Sequence, residues 1–131
     1  MDAAARTLVR ERAKHRCKYC LVPEALSYHT FHIEHVIPIK HRGSDDDSNL
    51  CLACRNCNLH KSSNLSGLDP DSGELTPLFN PRVDNWTEHF IFRGPYIDGT
   101  TPVGRATIYV LAMNDDDQVA IRDALRLYSA D

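Results

Sequence analysis

The chain has 131 residues, 42% of them apolar and 25% charged, the proportions of one globular domain or of a small domain with an extension. No apolar run approaches the roughly 20 residues of a membrane helix, and the residues before Cys17 lack the apolar stretch of a secretory leader. The net charge of −3 argues against a general polyanion binder, and a cytoplasmic protein with no membrane partner is expected.

In chain order, residues 3–14 read as a helix capped by Asp2, with Leu8 and Val9 as a narrow apolar stripe. Its Arg6, Arg10 and Lys14 face is either plainly solvated or in contact with phosphate. Residues 29–36 alternate and carry β-branched and aromatic side chains, so a strand is predicted, ended by Pro38. A polar loop follows over 40–48, and Asp45 to Asp47 would repel a polyanion. Residues 49–53 read as a second strand pairing with the first, and 56–63 as a short helix. Residues 64–82 read as a long connection with a turn at Asp71 to Gly73. Residues 86–92 alternate as a strand, with Tyr96 and Ile97 pairing back across Gly94 and Pro95. Pro102 suits the first turn of a helix over 102–113. After a break at Asn114 to Asp117, residues 118–128 form a last amphipathic helix with Val119, Ile121, Leu125 and Tyr128 partly inward.

The chemistry-bearing residues lie early. Residues 1–64 hold ten Lys and Arg against seven Asp and Glu, and 65–131 hold five against eleven. All five cysteines and six of the seven histidines precede residue 65. Cys17 and Cys20 form one C-x2-C pair, and Cys54 and Cys57 another. Disulfides or redox thiols are one reading. The odd cysteine count and the missing leader favour four thiolates around a single zinc. Such a site is closed, so it holds the fold and does not react. Cys51 reads as a small buried hydrophobe.

Closing a zinc on the two pairs folds the intervening strands into a hairpin and forces the helix after Cys57 against it. Glu34, His35 and Asn58 can then converge. A carboxylate and an amide oxygen are hard ligands suited to Mg²⁺ or another divalent cation. A neutral imidazole beside that ion can deprotonate a water. That combination suffices to hydrolyse a phosphodiester. His32 and His41 read as ordinary surface histidines. Arg55 and Lys61 read as solvated or as backbone contacts, and Trp86, His89 and Phe90 as core of the second half.

Glu34-His35-Val36-Ile37-Pro38, then Gly43, Asn49-Leu50 and Cys54-x2-Cys57-Asn58-x2-Lys61, resemble in order and spacing the HNH endonuclease family. The resemblance covers about residues 17–62. It implies a ββα-metal (His-Me finger) core within an α+β chain, stapled by the four-cysteine zinc site, with an N-terminal helix and a C-terminal strand and helix extension. By position it implies His35 as general base, Glu34 and Asn58 as ligands of the catalytic metal, and Asn49 as support for the loop and base. Asn58 stands where histidine is commoner in the family, and His60 is an alternative ligand. Residues 80–82, 86–90 and 104–107 are similar to an extension of some small stand-alone HNH proteins. The expected organisation is a nuclease core over 1–64 and an extension over 65–131 packing on it. The expected activity is metal-dependent hydrolysis of DNA; the alternative is a catalytically silent zinc module that binds nucleic acid or a protein.

Overall fold

The computed structural model describes residues 2–125. Helix α1 (Ala3–Arg12) starts as its cap requires: the Asp2 carboxylate accepts from the Ala5 N–H at 2.8 Å. Val9 is fully buried, whereas Leu8 is 43% exposed, so the apolar stripe is one residue wide. Arg6 and Lys14 are exposed. Arg10 is neither solvated nor free for phosphate: it pairs with Glu24 at 3.2 Å and donates to the Phe31 carbonyl.

That contact shortens the first strand. Glu24 also accepts from the Phe31 N–H, so the backbone at 31 is already bonded before the ladder begins. Strand β1 is therefore His32–His35, narrower than the predicted 29–36, and pairs antiparallel with β2 (Leu50–Ala53) in the register His35 opposite Leu50. All four β2 residues are buried. Helix α2 (Arg55–Lys61) follows at once, capped by the Cys54 sulfur, which accepts from the Cys57 N–H. The hairpin and α2 make a ββα unit. Arg12 of α1 ties it down by donating to the carbonyls of Asp47 and Leu50.

The segment predicted as a long connection contains a hairpin, β3 (Ser66–Leu68) with β4 (Leu75–Pro77). Its organiser is Asp69, fully buried, which accepts from the Asp71 N–H, the Ser72 hydroxyl and the Nε and Nη2 of Arg105. Residues 86–89, predicted as the start of a strand, form a helical turn instead, α3 (Trp86–His89). The turn carries the Trp86 ring onto Phe90 and Phe92, and its indole N–H onto the Tyr19 carbonyl. Strands β5 (Phe90–Arg93) and β6 (Tyr96–Gly99) follow and pair across Gly94.

Helix α4 (Pro102–Val110) has Pro102 in its first turn and Thr101 as its cap. It lies so close to α3 that a Cβ on Gly104 would meet the His89 carbonyl oxygen at 2.0 Å. Helix α5 (Asp116–Leu125) ends the described chain; Tyr128, expected on its inward face, lies outside the described residues. The buried residues of α5 are polar, Gln118 and Arg122, while Val119, Ile121 and Leu125 are only partly covered. The three hairpins remain separate two-stranded sheets. One hydrophobic core joins them, running from Val9 and Tyr19 through Leu50 and Leu52 to Phe79, Ile97, Leu111 and Met113.

Candidate active site and metal centre

The first knuckle is a tight turn, closed by bonds from the Leu21 N–H to the Cys17 carbonyl and from the Cys17 N–H to the Val22 carbonyl. The Lys18 N–H bonds the Leu52 carbonyl, which registers the knuckle on β2. The second knuckle is the first turn of α2. Together they bring the sulfurs of Cys17, Cys20, Cys54 and Cys57 within 4.8 Å of one another, all four buried and none in a disulfide. The Cys20–Cys54 sulfur separation is 3.6 Å, close to the roughly 3.8 Å that tetrahedral Zn–S bonds of about 2.3 Å dictate. Contacts with Cys17 and the other sulfurs pull the Cys54 thiol far below its ordinary range and push Cys20 and Cys57 up. Four buried sulfurs this close can all ionise only around a central cation that carries their charge. The donor set fits a structural zinc.

Beyond β1 an open cleft of about 310 Å³ is lined by His32, Glu34, His35, Asn58, Ser62 and Ser63, with Ile33, Pro38 and Ile39. A larger groove of about 540 Å³ runs past Tyr28, His29, Arg55 and Ile121 and holds neither Glu34, His35 nor Asn58. The three converging residues of the sequence reading therefore share the smaller cleft.

His35 bonds through Nε2 to the Asp45 carboxylate at 2.7 Å. An ionised carboxylate only accepts, so Nε2 carries the proton and a neutral ring keeps its lone pair on Nδ1. The sequence marks Asp45 only as part of a polar run. The acidic residues after the Gly43 turn were the only signal, and sequence spacing alone does not bring position 45 back to position 35.

Asn49 lies outside the cleft lining and under the loop. Its Oδ1 accepts from the Ile37 N–H at 2.9 Å, and its Nδ2 donates to the carbonyls of Ile37 and Ser44. Gly43 completes this clamp: a Cβ there would sit 1.6 Å from the Ile37 oxygen. Asn49 thus holds the chain between the strand that bears His35 and the turn that bears Asp45.

Glu34 is only 7% exposed. Its Oε1 accepts from the Tyr19 hydroxyl and from Cys51, and lies 3.8 Å from the Lys61 ammonium. Burial raises its pKa, against the pull of Lys61 and these hydrogen bonds. Oε2 takes none of the three partners. Lys61 is buried, not solvated, and donates to the Val36 carbonyl at 2.9 Å. Cys51 is buried as expected but also serves as a weak donor, to Glu34 and to Tyr19. Asn58 is half-buried, and its side-chain amide makes no hydrogen bond among the described residues. His60 bonds its own helix at the Asn56 carbonyl and is not part of the cleft. Arg55 meets His29 at 3.0 Å.

Residues 17–64 match the family model described as HNH endonuclease. The matched stretch contains both knuckles, the β1–β2 hairpin, the clamped loop and α2. No curated protein and no solved structure matches the chain. Among the described residues no helix is long and apolar enough to cross a membrane.

Proposed function

We propose that the chain is a metal-dependent endonuclease that hydrolyses DNA phosphodiester bonds in the cleft beside β1. The observation that carries this reading is the His35 ring. Its Nε2 is tied to Asp45 while its Nδ1 is left without a hydrogen-bond partner among the described residues, in the same cleft as Asn58 and Glu34.

In this reading His35 takes a proton from water at Nδ1, and Asp45 keeps the tautomer and stabilises the imidazolium that results. Asn49 holds the loop that places Asp45. The uncommitted oxygens of Asn58 and Glu34 are hard donors suited to Mg²⁺ or a similar cation. When bound, that cation would offset negative charge on the phosphate and the leaving oxygen. Tyr19 and Lys61 face the other Glu34 oxygen, which fixes the carboxyl group and opposes the upward push of burial on its pKa.

The test is nicking of supercoiled plasmid across a series of divalent ions. Loss of a general base typically costs about 10²–10⁴ in rate, and His35→Ala is expected in that range with zinc content unchanged. Glu34→Ala and Asn58→Ala should regain activity as metal concentration rises, and Asn49→Ala should fall between. If His35→Ala cuts as fast as wild type with every ion, the cleft is not the nuclease site. The silent binding module then becomes the better reading.

A further inference from the structure

The four sulfur ligands all come from residues 17–57, yet a polar side chain buried against two of them, Gln118, belongs to the far end of the chain, and Arg122 is buried one helical turn beyond it. Gln118 and Arg122 stand one helical turn apart on α5, on a single face. Gln118 Nε2 lies 3.3 Å from the Cys20 sulfur and 3.5 Å from the Cys54 sulfur. Arg122 is fully buried. Its Nε donates to the Pro95 carbonyl and its Nη2 to the Asn114 side-chain oxygen, both neutral acceptors. Its Nη1 is buried with no hydrogen-bond partner among the described residues.

A buried guanidinium bonded to neutral oxygens and left with one nitrogen unpartnered is costly unless a negative charge lies nearby. Burial lowers the Arg122 pKa, and the four cysteine sulfurs oppose that shift. Four thiolates around a divalent ion carry a net charge of about −2. That charge also needs compensation in a site with almost no exposure to water.

We propose that α5 is the outer shell of the metal centre. Gln118 donates N–H···S bonds that orient Cys20 and Cys54, and Arg122 supplies the buried positive charge that balances the metal–thiolate cluster. Docking of the C-terminal helix and retention of the metal are then one coupled event. The extension does more than add core: it seals and neutralises a site whose ligands it does not provide. This inference does not depend on the nuclease reading.

The experiment uses the full zinc-loaded chain and three variants: Arg122→Met, Arg122→Lys and Gln118→Leu. Zinc affinity is measured by competition with a chromogenic chelator. The cobalt-substituted proteins are compared by their thiolate-to-cobalt absorption. Loss of an outer-shell partner typically weakens metal binding about 10–100-fold; Arg122→Met is expected in that range, with Arg122→Lys close to wild type. Gln118→Leu should move the charge-transfer band to longer wavelength, because the sulfur lone pairs lose their donor. Should Arg122→Met fail to fold, the Gln118→Leu band decides: a shifted band supports the outer shell and an unshifted one overturns it. Wild-type zinc affinity in both Arg122→Met and Gln118→Leu would overturn it, as would an Arg122→Lys chain as damaged as Arg122→Met.

Discussion

Replacing Lys61 by Met tests the buried network behind the cleft. The Lys61 ammonium is 2% exposed; it donates to the Val36 carbonyl and stands 3.8 Å from Glu34. Methionine fills nearly the same volume, so the variant leaves the Glu34 carboxylate buried with its counter-charge removed and only Tyr19 and Cys51 as donors. Breaking a buried pair from one side costs about 3–5 kcal/mol. At roughly 4 °C per kcal/mol for a chain of this size, the melting temperature should fall by about 12–20 °C. The effect also carries a pH signature. Burial raises the folded-state pKa of Glu34, so the folded chain binds the proton more tightly than the unfolded one. The resulting stability is complete below the ordinary carboxylate range and is lost as pH rises through the folded value. Removing Lys61 should push that loss to higher pH and deepen it, with a slope of at most about 1.4 kcal/mol per pH unit. Thermal and denaturant unfolding of the zinc-loaded protein, followed by circular dichroism across pH, measures both. Glu34→Gln in the Lys61→Met background should recover most of the loss, since the stranded charge is then gone. A Lys61→Met chain less than about 1 kcal/mol below wild type, or no recovery in the double variant, would refute the argument.

Two further outcomes follow from close contacts elsewhere. Gly43→Ala forces the loop away from the Ile37 oxygen and opens the Asn49 clamp; overpacking of this kind costs about 1–3 kcal/mol. Plasmid nicking should fall with it, and an unchanged denaturant midpoint would show that the loop is not tightly held. Hydrogen bonds from Arg105 hold the Asp69 carboxyl well below the usual range. Its stabilisation is present above about pH 4 and is lost as pH falls through the folded value. Asp69→Asn should therefore be less stable than wild type near neutrality and show a flatter acid limb in denaturant titrations.

The parts of the fold legible in the sequence are those where local pattern and tertiary demand agree. Asp2 before an alanine run, two C-x2-C pairs, Pro102 opening a helix and alternation at 32–35 each specify their element by short-range chemistry. The misreadings share one cause. Phe31 leaves the strand because Arg10 and Glu24, distant in the chain, take its backbone groups. Trp86 to His89 turn helically because the indole reaches Tyr19. The hairpin at 66–77 exists because Asp69 meets Arg105. On α5 the apolar stripe of Val119, Ile121 and Leu125 is partly inward, as its pattern indicates, with Ile121 against the core; the buried positions, Gln118 and Arg122, carry no apolar signal. A metal–thiolate cluster calls for donors and charge where a hydrophobic pattern predicts oil. In the cleft, motif spacing placed His35, Glu34 and Asn58 together, while Asp45 required the return path of the loop. Glu34 required the third dimension as well, since nothing near it in sequence foretells Tyr19 and Lys61 as its neighbours.

Trp86 is the single tryptophan of the chain, and its indole N–H rests on the Tyr19 carbonyl, 67 residues away and inside the first knuckle, at 2.8 Å. The molecule therefore contains an optical gauge at the joint between its two halves. Loosening of the knuckle hands the indole N–H to water and moves emission to the red. Metal loss, separation of the halves and global unfolding can accordingly be timed against one another in the unlabelled protein. The order of events at this joint becomes a matter of watching one ring.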